Sequence, residues 1–221
     1  MRLRLRLRWW RELFFLGALL FSLVALLPLR FALDWLGFAD TGLTAREARG
    51  SLWLGVLADA RFDTVALGNV ATRLRVLPLL VGRARLDLEQ EDDGFKGGLT
   101  LSRHGFGVDD ASGTIEGPAL AVLPPPTLEL SDLSFRFADG LCAHAEGSVK
   151  ARFAGELGGV SLASGFSGEA RCDGPALLLP LVSQSRADRL ELRIFADGRY
   201  RIDVAFRPGG MLYSERFEGS F

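Results

Sequence analysis

The chain is poor in the side chains that most chemistry needs: 221 residues include only two histidines, two cysteines, two methionines and two tyrosines. No G-x-S-x-G elbow or Walker A loop occurs, and GFGVDD at 105–110 lacks the third glycine of a dinucleotide fingerprint. With so few nucleophiles and soft ligands, the sequence predicts no enzyme, no metal site and no cofactor. An excess of positive charge is missing as well. Residues 30–221 carry 21 basic and 26 acidic residues, a net of −5. Such a surface is a poor match for the phosphates of nucleic acid.

The few candidates that remain have ordinary readings. Cys142 and Cys172 are the only cysteines. An even count in an oxidising compartment favours a disulfide, and closing a loop of about 30 residues would stabilise by roughly 3–4 kcal/mol. Adding His144 and His104 would make a four-ligand set for zinc, but the paired C-x2-C knuckle is absent. His104, in SRHGFG, reads as a turn histidine. Asp92–Asp93 and Asp109–Asp110 stand in glycine-rich contexts where aspartate makes local hydrogen bonds.

What the sequence has in quantity is apolar surface and glycine: 48% hydrophobic residues, 16 Phe and 26 Gly. Residues 13–29, LFFLGALLFSLVALLPL, run for seventeen residues without a charge, after Arg2, Arg4, Arg6, Arg8 and Arg11. A helix of about 20 apolar residues crosses a bilayer, so residues 13–30 are predicted as a single transmembrane helix. The rival is a cleaved signal peptide, whose apolar centre is usually about 7–15 residues and ends in a small-x-small site. Here Pro-Leu-Arg-Phe follows instead. The arginines place residues 1–12 in the cytoplasm and the remainder across the membrane. Residues 31–44 are expected as a short membrane-proximal helix or linker.

From residue 45 the apolar period shortens to two, the mark of strands. In RARLDLE, Ala84, Leu86 and Leu88 face one way while Arg83, Arg85, Asp87 and Glu89 face the other. Alternating stretches of five to nine residues are punctuated by Gly68-Asn69, Glu91-Asp92-Asp93-Gly94, His104-Gly105, Ala138-Asp139-Gly140 and Ala196-Asp197-Gly198. Pro124-Pro125-Pro126 either divides two subdomains or marks a bend or edge within one sheet. The expected fold is all-β beyond an N-terminal helix, with residues 45–221 as one elongated, mainly antiparallel domain. Glycines inside the strands allow sharp bends, and an exposed sheet edge is a candidate docking strand.

Two short motifs carry a resemblance. Gly50-Ser51-Leu52-Trp53-Leu54-Gly55 and Leu77-Pro78-Leu79-Leu80-Val81-Gly82, set behind an apolar segment, resemble the type II secretion system protein N family of Gram-negative bacteria. GLCAHAEGSV, GEARCDGPALLLPL and the late FADGRYRI hairpin agree with it. The resemblance implies an accessory or structural component of the secretion machine, single-pass in the inner membrane with a periplasmic domain. Its partners would be other components of that machine, and it would aid export of folded proteins. A more distant AsmA-like similarity implies a strongly curved, taco-like sheet with an apolar interior. It raises the alternative of lipid handling, with Leu86, Leu88, Leu99 and Leu101 as liners, although alternating leucines ordinarily face a core. Gly50, Trp53, Gly55, Pro78 and Gly82 are expected to act as architecture. Trp53 is placed in the first strand, packing the apolar face.

Overall fold

The computed structural model describes residues 14–19, 22, 26, 28–29, 42–51, 53–62, 65–90, 94–117, 124–154, 156–157, 160–161, 165–206 and 213–220. Period-two alternation becomes strand throughout this set. In chain order these are β1 (Leu43–Thr44), β2 (Glu47–Gly50), β3 (Gly55–Phe62), β4 (Val65–Arg75), β5 (Arg83–Gln90), β6 (Lys96–Ser102), β7 (Gly105–Glu116), β8 (Pro126–Ala138) and β9 (Leu141–Phe153). Next come β10 (Glu156–Leu157), β11 (Val160–Ser161), β12 (Phe166–Glu169), β13 (Arg171–Asp173), β14 (Ala176–Ser183), β15 (Arg189–Ile194), β16 (Arg199–Phe206) and β17 (Tyr213–Ser220). A single helical turn, α1 (Val76–Leu79), joins β4 to β5.

Fifteen of the strands form one antiparallel sheet in the order β1-β3-β4-β5-β6-β7-β8-β9-β12-β14-β15-β16-β17. β2 shares the outer side of β3 with β1, β13 continues along β14, and β10 and β11 form a separate two-stranded sheet. The connection is mostly a meander, because tight turns join antiparallel neighbours without a crossover. Asp139 and Gly140, both at positive φ, make the two-residue β8–β9 turn that Asp-Gly favours. The prolines do not divide the sheet. Pro126 is the first residue of β8, where a missing N–H is tolerated, and its carbonyl accepts from the Gly117 N–H at 2.7 Å.

One face of the sheet holds the core. Ala84, Leu86 and Leu88 are buried along β5, Leu190 on β15, and Ile202, Val204 and Phe206 along β16, all in one contiguous apolar cluster. Leu86 has no exposed surface, yet α1 buries no residue. The cover comes from the sheet itself: β4 touches β7 although β5 and β6 lie between them in the strand order.

Bulges produce that curvature. Pairing slips between Leu57 and Ala60 on β3, between Val108 and Gly113 on β7, and between Ser131 and Ser134 on β8. Asp59, Asp110 and Asp132 sit at these slips with φ of 48°, 54° and 51°. Aspartate tolerates this left-handed region better than most residues, and each extra residue bends and twists its strand. Gly147 on β9 faces the slip on β8 with φ of 96°, and a Cβ there would lie 2.4 Å from the Asp132 carbonyl oxygen. Only glycine fits that position.

The bulges also overturn one expectation. Gly68-Asn69 is not a turn, because β4 runs through it from Val65 to Arg75. Gly68 lies opposite Ala60 at the slip, and the Asn69 Oδ1 accepts from the Asp59 N–H at 3.3 Å. Strands therefore exceed the expected five to nine residues, reaching thirteen in β8 and β9. Residues 31–41, expected as a helix or linker, lie outside the described residues, and Leu43–Thr44 form β1.

Candidate interaction surfaces

The Gly50–Gly55 motif forms the turn between β2 and β3. Gly50 pairs with Gly55, and the Ser51 N–H donates to the Leu54 carbonyl at 3.0 Å. Trp53 is thus in a turn rather than in a strand, half-buried and packed against the edge of the core. The glycines have separate tasks. Gly50 turns the chain at a φ of 94°, while a Cβ at Gly55 would lie 2.5 Å from a Leu29 side-chain carbon. Leu29 fills that slot completely buried, and Pro28 bridges to Ser51. The motif clamps the end of the apolar N-terminal segment onto the sheet.

Pro78 and Gly82 shape the β4–β5 tip. The Val81 N–H donates to the Pro78 carbonyl, and Gly82, at a φ of 73°, donates to Leu79. The motif, expected to act as architecture, forms a tip that projects: Leu77 is 78% and Leu80 79% exposed. The available signal was the run VLPLLV, which lacks the polar alternation of the flanking strands.

Cys142 of β9 and Cys172 of β13 form a disulfide with their Cα atoms 5.5 Å apart. The Cys142 N–H also donates to the Pro175 carbonyl, so bond and bridge tie the same neighbours. The histidines of the hypothetical zinc set pair elsewhere, His144 with Glu146 and His104 with Asp139 at the adjoining turn, each at 3.4 Å. Among the described residues no group of three or more His, Cys, Asp or Glu is placed to hold a metal. Asp92 and Asp93 lie outside the described residues.

The outer face of the sheet carries ion-pair clusters centred on arginine. Arg85 reaches Asp87 at 2.9 Å, Asp110 at 3.0 Å and Asp109 at 3.5 Å. Asp109 accepts from the Thr100 hydroxyl as well, and Arg136 approaches it at 3.6 Å. Arg193 repeats the pattern with Asp173, Glu191 and Asp203, each within 3.0 Å. Burial opposes the charge on both guanidiniums, but hydrogen bonds to Asp87 and Asp110, and to Asp173 and Glu191, outweigh it and hold both above their ordinary range. Asp87, Asp109 and Asp110 therefore serve as counter-ions to Arg85.

β17 ends the sheet, pairing only with β16 among the described strands. Arg216 bonds Asp203 at 2.5 Å and Glu218 accepts from Arg201 at 2.7 Å. Glu215 stands opposite Val204, on the side of the sheet that carries the core. A charge on that side discourages unselective pairing with another sheet edge.

Residues 41–215, from just before β1 into β17, match the family model described as Type II secretion system (T2SS), protein N. A Vibrio cholerae protein named type II secretion system protein N is 26% identical over 221 residues, covering 89% of this chain and 84% of its own. No solved structure matches. The match spans the sheet, its glycine turns and the bridged cysteines, and on that extent the chain belongs to the type II secretion system protein N family.

Proposed function

We propose that the chain is an accessory or structural component of the type II secretion machine, working in export through protein–protein contacts and without catalysis. Residues 13–30 would hold it in the inner membrane of a Gram-negative cell, with residues 1–12 cytoplasmic and the sheet periplasmic. The observation that carries this reading is the family match across nearly the whole sheet. The seventeen uncharged residues behind five arginines support the anchor. Phe14–Leu19 are helical, and among the described residues no helix is long and apolar enough to cross a membrane. The disulfide fits an oxidising compartment such as the periplasm.

The lipid-handling alternative requires apolar side chains that face a ligand. Leu86, Leu88 and Leu99 are instead buried in the core cluster, with Leu101 packed against it. The protein-contact reading is therefore preferred.

Deletion of the gene, paired with affinity purification of the full chain from envelope membranes, tests it. Export of type II substrates should fall, and other secretion components should co-purify. Unchanged export of every substrate, with no such component recovered, would overturn the reading.

A further inference from the structure

We infer that the β4–β5 tip, residues 76–81, is a second membrane contact, seated in the interfacial layer of the bilayer beside the N-terminal anchor. The inference rests on the anchor reading and adds to it a surface of the folded sheet.

Exposure is the first ground. Val76, Leu77, Leu80 and Val81 are 54%, 78%, 79% and 73% exposed within six residues. Large apolar side chains exposed elsewhere on the described sheet are Leu54, Val56, Leu141 and Tyr213. Isolated exposed leucines need no explanation, whereas four large apolar residues exposed together on one six-residue tip mark a contact surface.

Position is the second. Pro28 bridges Ser51, and Leu29 fills the slot at Gly55, so the end of the apolar segment is already docked on the sheet. Gly55 pairs with Thr72, and β4 continues three residues further to Arg75 before the tip begins. At about 3.4 Å per residue, the tip starts roughly 10 Å beyond the level of Gly55, past the end of the β2–β3 turn. No spacer separates the last residues of the apolar segment from the sheet. If the apolar segment ahead of Pro28 lies in the bilayer, the bilayer surface must lie near this end of the sheet, where Leu54 is also exposed.

Charge is the third. From Thr64 to Leu86 there is no acidic residue, while Arg73, Arg75, Arg83 and Arg85 flank the apolar tip on both strands. Arg75 and Arg85 pair with Asp87, and the exposed Arg73 and Arg83 frame the tip at headgroup height. An apolar point ringed by arginine matches an anionic lipid surface, with the leucines among the acyl chains and the guanidiniums on phosphates. A protein groove would supply apolar cover, but it would not explain why the patch sits where the anchor joins the sheet.

The test places an environment-sensitive fluorophore on Leu77→Cys or Leu80→Cys in the full chain, reconstituted into protein-free liposomes of zwitterionic and anionic phospholipid. The native cysteines are bridged, so only the new thiol reacts. Gln184→Cys, exposed in the β14–β15 turn at the opposite end, is the control. Liposome flotation reports the anchor separately. The expected result is floated protein with blue-shifted emission at 77 and 80, quenched by spin-labelled lipid, and water-like emission at 184. Floated protein with water-like emission at 77 and 80 overturns the tip and leaves the anchor standing. Protein that does not float overturns the anchor, and the tip with it. Shielding found only in native envelope vesicles would assign the tip to a protein partner and also overturn the proposal.

Discussion

Two stretches of the same sheet solve the same problem differently. β14 to β17 pair residue for residue through three consecutive interfaces without a slip. β7 to β9 are longer strands whose registers break repeatedly, with Asp110, Asp132 and Gly147 at positive φ. The regular stretch is a surface for side-chain burial, and its stability should scale with apolar area. The bulged stretch turns the sheet over its own core, and its stability should depend on backbone positions that bury little themselves. Substitutions can separate the two regimes.

The largest effect is expected in the regular stretch. Phe206 is among the largest fully buried side chains, so Phe206→Ala should cost about 3–5 kcal/mol in guanidinium unfolding. A cost near 1 kcal/mol would show that this face is not packed as a core. Next is the bridge joining β9 to β13, where the two stretches meet. Replacing Cys142 and Cys172 together by Ser opens a loop with a sequence separation of 30, and about 3–4 kcal/mol should be lost, read from the same unfolding curves. Smaller again is the backbone term. Gly147→Ala adds a methyl 2.4 Å from a carbonyl oxygen at a φ of 96°, and about 2–3 kcal/mol of destabilisation is expected. Gly198→Ala in the β15–β16 turn also has positive φ but meets nothing within 4 Å. It should cost only about 1–2 kcal/mol. Equal costs at 147 and 198 would remove the distinction between the two stretches.

The regular stretch was also the more legible in sequence. DRLELRIFADGRYRIDVAF alternates cleanly around Ala-Asp-Gly, and it folds as the β15–β16 hairpin it announces. RARLDLE buries the three residues its pattern selects. The bulged regions were not legible, because a slip of one residue has no local signature of its own. Gly68-Asn69 between alternating runs carries the chemistry of a hairpin turn, and only pairing with β3 makes it a bulge. At the candidate surfaces, the cysteine pair could be read from residue type. The placement of Trp53 in a turn could not, since Trp serves strand and turn equally well when it packs a core edge. That half-burial also lowers the expected cost of Trp53→Ala below the value for a fully buried ring.

The smallest prediction sharpens the comparison from the inside. Thr72 is buried on β4 between Gly55 and Leu88, and among the described residues its Oγ1 has no hydrogen-bond partner. A buried hydroxyl without a partner loses its hydration and gains nothing in exchange, whereas a methyl group of the same shape has no such cost. Thr72→Val should therefore stabilise the chain by about 1 kcal/mol, with the denaturation midpoint moving up and the slope unchanged. If the midpoint falls instead, the hydroxyl has a partner in the folded protein, and the face of β4 that curls toward β7 is less dry than the leucines around it suggest.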